Sequence, residues 1–485
     1  MLHFKLINKI IGQLLLIEAS LLCWCLGVSL FYHEDDVFAF LSSIIITLAV
    51  AFALIATGRH SKNTLSRRDA YLVVTLTWII FSLFGTLPFM ISRYVPDFTD
   101  AYFETMSGFT TTGATIIDDV ESLPHGLLFW RSLTQFIGGL GIVFFMVALL
   151  PSLGGGSIRI FAAEATGPIK TKLHPRLSTS TKWIWMVYLI LTIGCTASYY
   201  VGGMNLFDAI NFSMSTTATG GFGTRNGSFA FFHSKFLEYA CTVFTFLSGV
   251  NFALLYASVF KGKLKKLFHS SEFKFYLFAV LAFSLFITIK LVTNNHYDLE
   301  HAFRKAVFQV VTFMTTTGFY SENAATWPHV TWVILAIGMF FGACSGSTSG
   351  GLKCIRGVMI LKIIKNEFIQ ILHPNAVLPI RVDGVNVSRQ KQVTLLAFLS
   401  TYLILCLLMS STLIAMGIDN TNAITITLSS LGNVGPTLGI EIGPTMSWSM
   451  LPIAAKWLCS FMMLIGRLEL FTVLIIFTPA FWKNN

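Results

Sequence analysis

Four short stretches decide the fold: Thr110-Thr111-Thr112-Gly113-Ala114, Ala218-Thr219-Gly220-Gly221-Phe222, Thr315-Thr316-Thr317-Gly318-Phe319 and Leu431-Gly432-Asn433-Val434-Gly435-Pro436. None carries a charged side chain. In each, one glycine (Gly113, Gly221, Gly318, Gly435) is preceded at 12 positions by an alanine (Ala101, Ala209, Ala306, Ala423) and at six by a small hydroxyl residue (Ser107, Ser215, Thr312, Ser429). The glycines lie 108, 97 and 117 residues apart, and each interval holds the same succession of apolar runs. One Thr-Thr-Gly alone is an ordinary helix-ending turn. Four in register are an internal fourfold repeat.

The apolar to mixed segments before these turns, 101–109, 209–217, 306–314 and 423–431, are too short to cross a bilayer. A helix of roughly 12 residues reaches about 18 Å, and a full span needs roughly 20 residues. They are expected to be re-entrant half-helices that start on the outer side. Longer apolar runs flank them, predicted as spans near 10–32, 37–57, 71–93, 126–150, 183–203, 236–260, 275–293, 329–365, 392–417 and 445–481. The fold class expected is therefore an all-α membrane protein. It has ten transmembrane helices, with four pseudo-symmetric helix, pore helix, helix repeats around a central pore. The segments are an N-terminal transmembrane hairpin at 1–70 and repeats at 71–160, 161–266, 267–391 and 392–485. The sequence does not declare what the hairpin does.

Composition agrees. Of 485 residues 54% are apolar and only 12% are charged, and the mean hydropathy is +0.71, which points to membrane lipid as the solvent for most of the chain. The eight cysteines stand singly in apolar stretches or as Cys23 and Cys25, a spacing that suits neither a zinc site nor a redox pair. The first apolar run follows Lys5 and Lys9 and continues to about Tyr32 without a small-residue cleavage site, so it reads as an uncleaved span.

The net charge of +10 follows from topology, with no nucleic acid as partner. Lys5, Lys9, Arg59, Lys62, Arg67, Arg68, Arg159, Lys170, Lys172, Arg176, Lys182, Lys261, Lys263, Lys265, Lys266 and Lys274 fall at alternate ends of the spans. Those ends, and both termini with them, are expected in the cytoplasm. The opposite loops hold acid: His33-Glu34-Asp35-Asp36, Asp97, Asp100, Asp118, Asp119 and Glu121. This either draws cations to an outer mouth or merely reflects topology.

Non-helical backbone at membrane depth leaves carbonyls without intrachain donors, which is tolerable only where protein, water or ions meet them. Glycine turns let successive carbonyls face an axis and let four strands approach closely. The C-terminal ends of four half-helices, each worth roughly half a negative charge, would aim at the same cavity. A dehydrated cation fits such a place without any carboxylate.

The predicted span 329–365 is interrupted by Gly342-Ala343-Cys344-Ser345-Gly346-Ser347-Thr348-Ser349-Gly350-Gly351, too polar and glycine-rich to be continuous helix in lipid. It is no phosphate-binding loop, because Leu352 separates Gly351 from Lys353. Arg467 sits inside another apolar run, where an isolated helix would lose about 2.5 to 3.5 kcal/mol by inserting it. It is expected to meet the carbonyls of Gly346, Ser347, Thr348, Ser349, Gly350 and Gly351 or to obstruct a cation path electrostatically. The alternative is a structural ion pair with Glu469.

These turns, with the repeat that carries them, resemble the Trk/Ktr/HKT potassium transporter superfamily from about residue 71 to the C-terminus. The two additional N-terminal helices resemble the members that carry such a hairpin. The resemblance implies a selectivity filter with potassium, the transported substrate, bound mainly by backbone oxygens of Thr111 and Thr112, Thr219 and Gly220, Thr316 and Thr317, and Asn433 and Val434, next to Gly113, Gly221, Gly318 and Gly435. It further implies that the Gly-rich loop obstructs the pore beneath the filter, which with Arg467 makes it the expected gate. A homodimer, a cytosolic TrkA-like nucleotide-binding regulatory subunit on the basic inner loops 261–274, no organic cofactor, and a bacterial cytoplasmic (inner) membrane follow from the same resemblance. The fourth turn departs from its mates by lacking threonine, and none contains Thr-Val-Gly-Tyr-Gly, so selectivity is expected to be looser than in tetrameric potassium channels. Relatives with serine at the first filter glycine tend toward sodium, whereas Gly113 keeps the potassium-like pattern. Adjacent Gly220 and Gly221 leave the second register open by one residue.

An intramembrane enzyme is the rival class, but the sequence has no His-Glu-x-x-His, Gly-x-Ser-x-Gly or paired intramembrane aspartates. An ion-coupled potassium or sodium symporter is the other alternative. It would need a midplane ionisable group, for which Arg467 and Glu469 are the candidates.

Overall fold

The computed structural model describes residues 2–59, 61, 65–141, 177–376, 378–439, 442–443 and 445–483. Six helices among them are long and apolar enough to cross a membrane: Phe4–Tyr32, Val37–Gly58, Arg67–Ile91, Thr181–Val201, Ser271–Asn295 and Arg389–Ala415. Their outward faces carry exposed Phe278, Leu281, Leu285, Leu403, Ile404 and Leu407, a surface that hydrocarbon covers and water would not tolerate.

The first two helices form the expected hairpin. They pack so closely that a Cβ on Gly12 would lie 2.7 Å from the Ala51 carbonyl oxygen, the small-residue contact of helices in lipid. The hairpin turn holds a neighbour: Glu34 accepts the His125 backbone N–H at 2.6 Å and meets its ring Nδ1 at 2.7 Å. That fastens the turn to the first residue of the helix His125–Leu140.

The long second spans predicted for the repeats are corrected by the structure. Lys235–Ser248 bends by 103° into Phe252–Val259, and Ile453–Arg467 bends by 114° into the stretch Leu470–Phe477. The predicted span 329–365 is two helices, His329–Phe341 and Cys354–Leu372, either side of the Gly-rich loop. Counting each bent pair as one, up to eight spans stand among the described residues. The physical cause of one bend is visible: Asn251 stops one helix and caps the next, its side chain accepting from the N–H groups of Ala253 and Leu254. Hydropathy is blind to such a break, because the chain stays apolar on both sides of it. The inner end of the predicted span 126–150, with Lys62, Arg159, Lys170, Lys172 and Arg176, lies outside the described residues.

One further departure from the all-α expectation is a two-stranded hairpin. Arg381–Val382 pairs antiparallel with Val385–Asn386 across Asp383-Gly384, both at positive φ (49° and 81°). This is the Asp-Gly turn that hairpins favour.

Candidate functional site: a ring of four backbone turns

The four half-helices run Phe98–Phe109, Leu206–Ala218, Leu299–Met314 and Asn420–Gly432, each starting earlier than the apolar pattern suggests. The missed signal is the cap. Asp97, Asn205 and Asp419 accept backbone N–H groups of Asp100, Asp208 and Thr421 at 3.1, 2.7 and 2.9 Å, and Asp298 holds the same place in the third.

All four end alike. The N–H of Thr112, Gly220, Thr317 and Val434 donates to the carbonyl of Ser107, Ser215, Thr312 and Ser429 at 2.8 to 2.9 Å, a six-to-one closure of the last turn. The residue between, Thr111, Thr219, Thr316 or Asn433, is left-handed, with φ of 53°, 53°, 57° and 54°. Three of these are β-branched, so each stores strain on the order of 1 to 3 kcal/mol. Two residues later come Gly113, Gly221, Gly318 and Gly435, at φ of 82°, 85°, 84° and 97°. The second turn therefore has its register at Gly221.

The turns meet in a closed circle. A Cβ on Gly113 would lie 2.1 Å from the Gly220 carbonyl oxygen, one on Gly221 2.1 Å from that of Thr317, one on Gly318 2.3 Å from that of Val434, and one on Gly435 2.4 Å from that of Thr112. Every sequence-predicted filter residue lies in this ring, and the side chains of Thr111, Thr112, Thr219, Thr316, Thr317, Asn433 and Val434 are buried. The arrangement puts the negative ends of four helix dipoles around one centre.

The turns are braced in three ways, the first and third alike. The hydroxyls of Thr110 and Thr112, and of Thr315 and Thr317, pair at 2.8 Å. Gly220 has no side chain to do this, and Gln135 takes over. Its amide donates to the Gly220 carbonyl at 2.7 Å, and its Oε1 accepts the Ser215 hydroxyl at 2.7 Å and the Phe222 N–H at 3.1 Å. The Asn433 amide donates to the Thr112 hydroxyl at 3.0 Å and to the Met463 carbonyl at 2.9 Å. Behind the ring, buried Glu104 pairs with Arg131 at 2.8 Å. Arg131 also donates to the Gly223 carbonyl at 3.0 Å and lies 4.1 Å over the Phe222 ring. Gln135 and this pair are not among the residues the turns and their repeat point to, although a polar side chain within an apolar run is itself a signal.

The first and fourth turns belong to opposite ends of the chain and are joined without covalent help. Lys456 meets Asp100 at 2.5 Å, and the Trp448 N–H donates to the Thr115 carbonyl at 2.7 Å. Asp118 accepts from the hydroxyls of Ser447 and Ser449, which hold its carboxyl below the usual aspartate range. Much of the acid in these loops is thus engaged: Glu121 pairs with Arg225 at 3.3 Å, and Asp119 accepts from Asn226 at 2.8 Å.

The Gly-rich loop lies against the C-terminal ends of the half-helices. The Thr348 hydroxyl donates to the Thr217 carbonyl at 3.0 Å, the Gly350 N–H to the Thr316 hydroxyl at 2.6 Å and the Gly351 N–H to the Gly432 carbonyl at 2.9 Å. Ser349 is buried and accepts from the ammonium of buried Lys353, while Gly346 is exposed and Ser347 half-buried. Arg467 donates to the Thr348 carbonyl at 2.8 Å and to the carbonyls of Gly138 and Gly139 at 2.6 Å each. Glu469 pairs with Arg356 at 2.6 Å. Arg467 and Glu469 are also not the sole ionisable groups within apolar helices: Glu18 in the first helix is fully buried, and among the described residues neither of its carboxyl oxygens has a hydrogen-bond partner.

A family model described as TrkH, cation transport protein, matches residues 36–484. The chain is 36% identical over 482 residues to the Trk system potassium uptake protein TrkH of Halomonas elongata, covering 99% of each. It is 35% identical to the TrkH of Escherichia coli K12, covering 99% of this chain and 100% of that one. Among solved structures it resembles the crystal structure of the potassium transporter TrkH from Vibrio parahaemolyticus. The TM-score is 0.89 at 34% identity, covering 99% of this chain and 100% of that one.

Proposed function

Because the chain belongs to the TrkH family of cation transport proteins, we propose that it takes up potassium by channel-like permeation through the ring of four turns. The family is one of transporters rather than enzymes. The observation that carries this reading is the closed circle in which each glycine seats against the backbone oxygen of the next turn. A cation at its centre would meet backbone oxygens of Thr111, Thr112, Thr219, Gly220, Thr316, Thr317, Asn433 and Val434 in place of its water. The chain is organised as the hairpin 1–70 and repeats 71–160, 161–266, 267–391 and 392–485, in a bacterial cytoplasmic membrane with both termini inside.

The Gly-rich loop is the gate in this reading. Its N–H and O–H donors occupy acceptors at the ends of the half-helices, oxygens that would otherwise be offered to an ion beneath the filter. Arg467 anchors the loop and adds a positive charge to the cation path. Opening falls to a cytosolic TrkA-like nucleotide-binding subunit, acting on a homodimer of this chain. Flux of rubidium, potassium and sodium through the purified protein in liposomes tests the proposal: saturable rubidium uptake that potassium competes with is expected. Uptake that sodium blocks as well as potassium does would overturn it.

Buried Glu18, without a hydrogen-bond partner among the described residues, favours a second reading, ion-coupled symport, with this carboxyl as the proton carrier. A reversal potential that tracks pH in the parent but not in Glu18→Gln would establish it; one that follows potassium alone in both would exclude it.

A further inference from the structure

One buried carboxyl group grips the Gly-rich loop at Ser345 and the helix that follows it at Ile355. Glu272 Oε1 accepts the Ser345 N–H at 2.6 Å and the Ile355 N–H at 3.1 Å, and Oε2 accepts the Ser345 hydroxyl at 2.9 Å. Its side chain is buried and sits on the first turn of the helix Ser271–Asn295, where the helix dipole favours negative charge. The same turn is gripped from the other side. Asp383, at the tip of the small β-hairpin, accepts the Ser271 N–H at 2.6 Å and the Ser270 hydroxyl at 3.4 Å. The hairpin is no loose appendage: Ile380, Val382 and Val387 share an apolar cluster with Ile355 and Met359, the first turns after the loop. It therefore touches the loop's exit directly and, through Asp383, the helix turn that carries Glu272.

We propose that Glu272 is the positioning residue that keeps the loop seated under the ring, and that the Asp383 hairpin is the handle through which its hold is released. The proposal rests on the loop being the gate. One buried side chain makes all three contacts, and a buried hydrogen-bonding group is costly to leave without its partner. A displaced hairpin would shift the Ser271 turn and Ile355 together, so Glu272 could no longer satisfy Ser345 and Ile355 at once.

The test is rubidium uptake by the purified full chain in liposomes, without any regulator, for the parent, Glu272→Gln, Asp383→Ala and a variant lacking residues 347–349. Both point variants are expected to raise uptake on the order of tenfold at the parent's rubidium-to-sodium ratio, a gain that mere loss of structure would not produce. Should the shortened loop raise uptake while both point variants stay at or below the parent level, Glu272 is only a structural cap and the proposal is overturned. Should the shortened loop also leave uptake unchanged, the gate reading itself fails and takes the proposal with it. If Glu272→Gln does not insert, Asp383→Ala decides alone, since its side chain lies on the exposed hairpin.

Discussion

Gln135 donates its side-chain amide to the carbonyl of Gly220 at 2.7 Å, so a residue of the helix His125–Leu140 braces the second turn of the ring. A Cβ on Gly220 would lie 2.4 Å from the Gln135 amide carbon, and the two positions therefore constrain each other. Gln135→Leu leaves the Gly220 carbonyl, the Phe222 N–H and the Ser215 hydroxyl buried without this partner, at about 1 to 3 kcal/mol each. Potassium-over-sodium preference is expected to fall on the order of tenfold, read from competition of the two ions for rubidium uptake. A variant that folds and keeps the parent's preference would show the brace to be dispensable.

Arg467 fastens the Thr348 carbonyl to Gly138 and Gly139. Arg467→Ala removes three charge-assisted hydrogen bonds, each worth about 1.5 to 3 kcal/mol, together with the positive charge. Rubidium flux should rise several-fold. Unchanged flux from a well-folded variant would refute the part assigned to this side chain.

Gly113→Ser places a Cβ 2.1 Å from the Gly220 carbonyl oxygen at a φ of 82°, so the ring must shift. The preference for potassium over sodium is expected to drop by roughly tenfold, a change of about 1.4 kcal/mol. Gly384→Ala supplies the control. Gly384 has nearly the same φ, 81°, with nothing within 4 Å of a Cβ, so backbone strain without collision should leave selectivity alone.

Asp118 has its carboxyl held below the ordinary aspartate range by Ser447 and Ser449. A carboxyl whose folded pKa is depressed contributes stability that is fully present above its unfolded value, about 3.9. That contribution is lost as pH falls through the lower folded value. The thermal midpoint of the parent should therefore decline more steeply than that of Asp118→Asn as pH is lowered from 5 to about 3. Parallel curves would show that the contact carries no pH-linked stability.

The sequence discloses the ring's components because its signal is local and repeated: Gly113, Gly221, Gly318 and Gly435 each stand 12 positions after an alanine. The left-handed residue is hidden because threonine disfavours that conformation. Only Asn433, which tolerates it, advertises the geometry its three counterparts share. The bends of 103° and 114° are invisible for another reason, since hydropathy measures transfer to lipid and not direction. Gln135, Glu104 and Glu272 act on residues far off in the chain, and no periodicity encodes such a pairing. The half-helix starts, by contrast, were readable from Asp97, Asn205, Asp298 and Asp419 as caps.

The seam where Gly435 rests on the Thr112 carbonyl bears on how a cell makes this protein. During synthesis the earliest turn has to wait for its last neighbour, so the circle of backbone contacts closes only after residue 435 has been made.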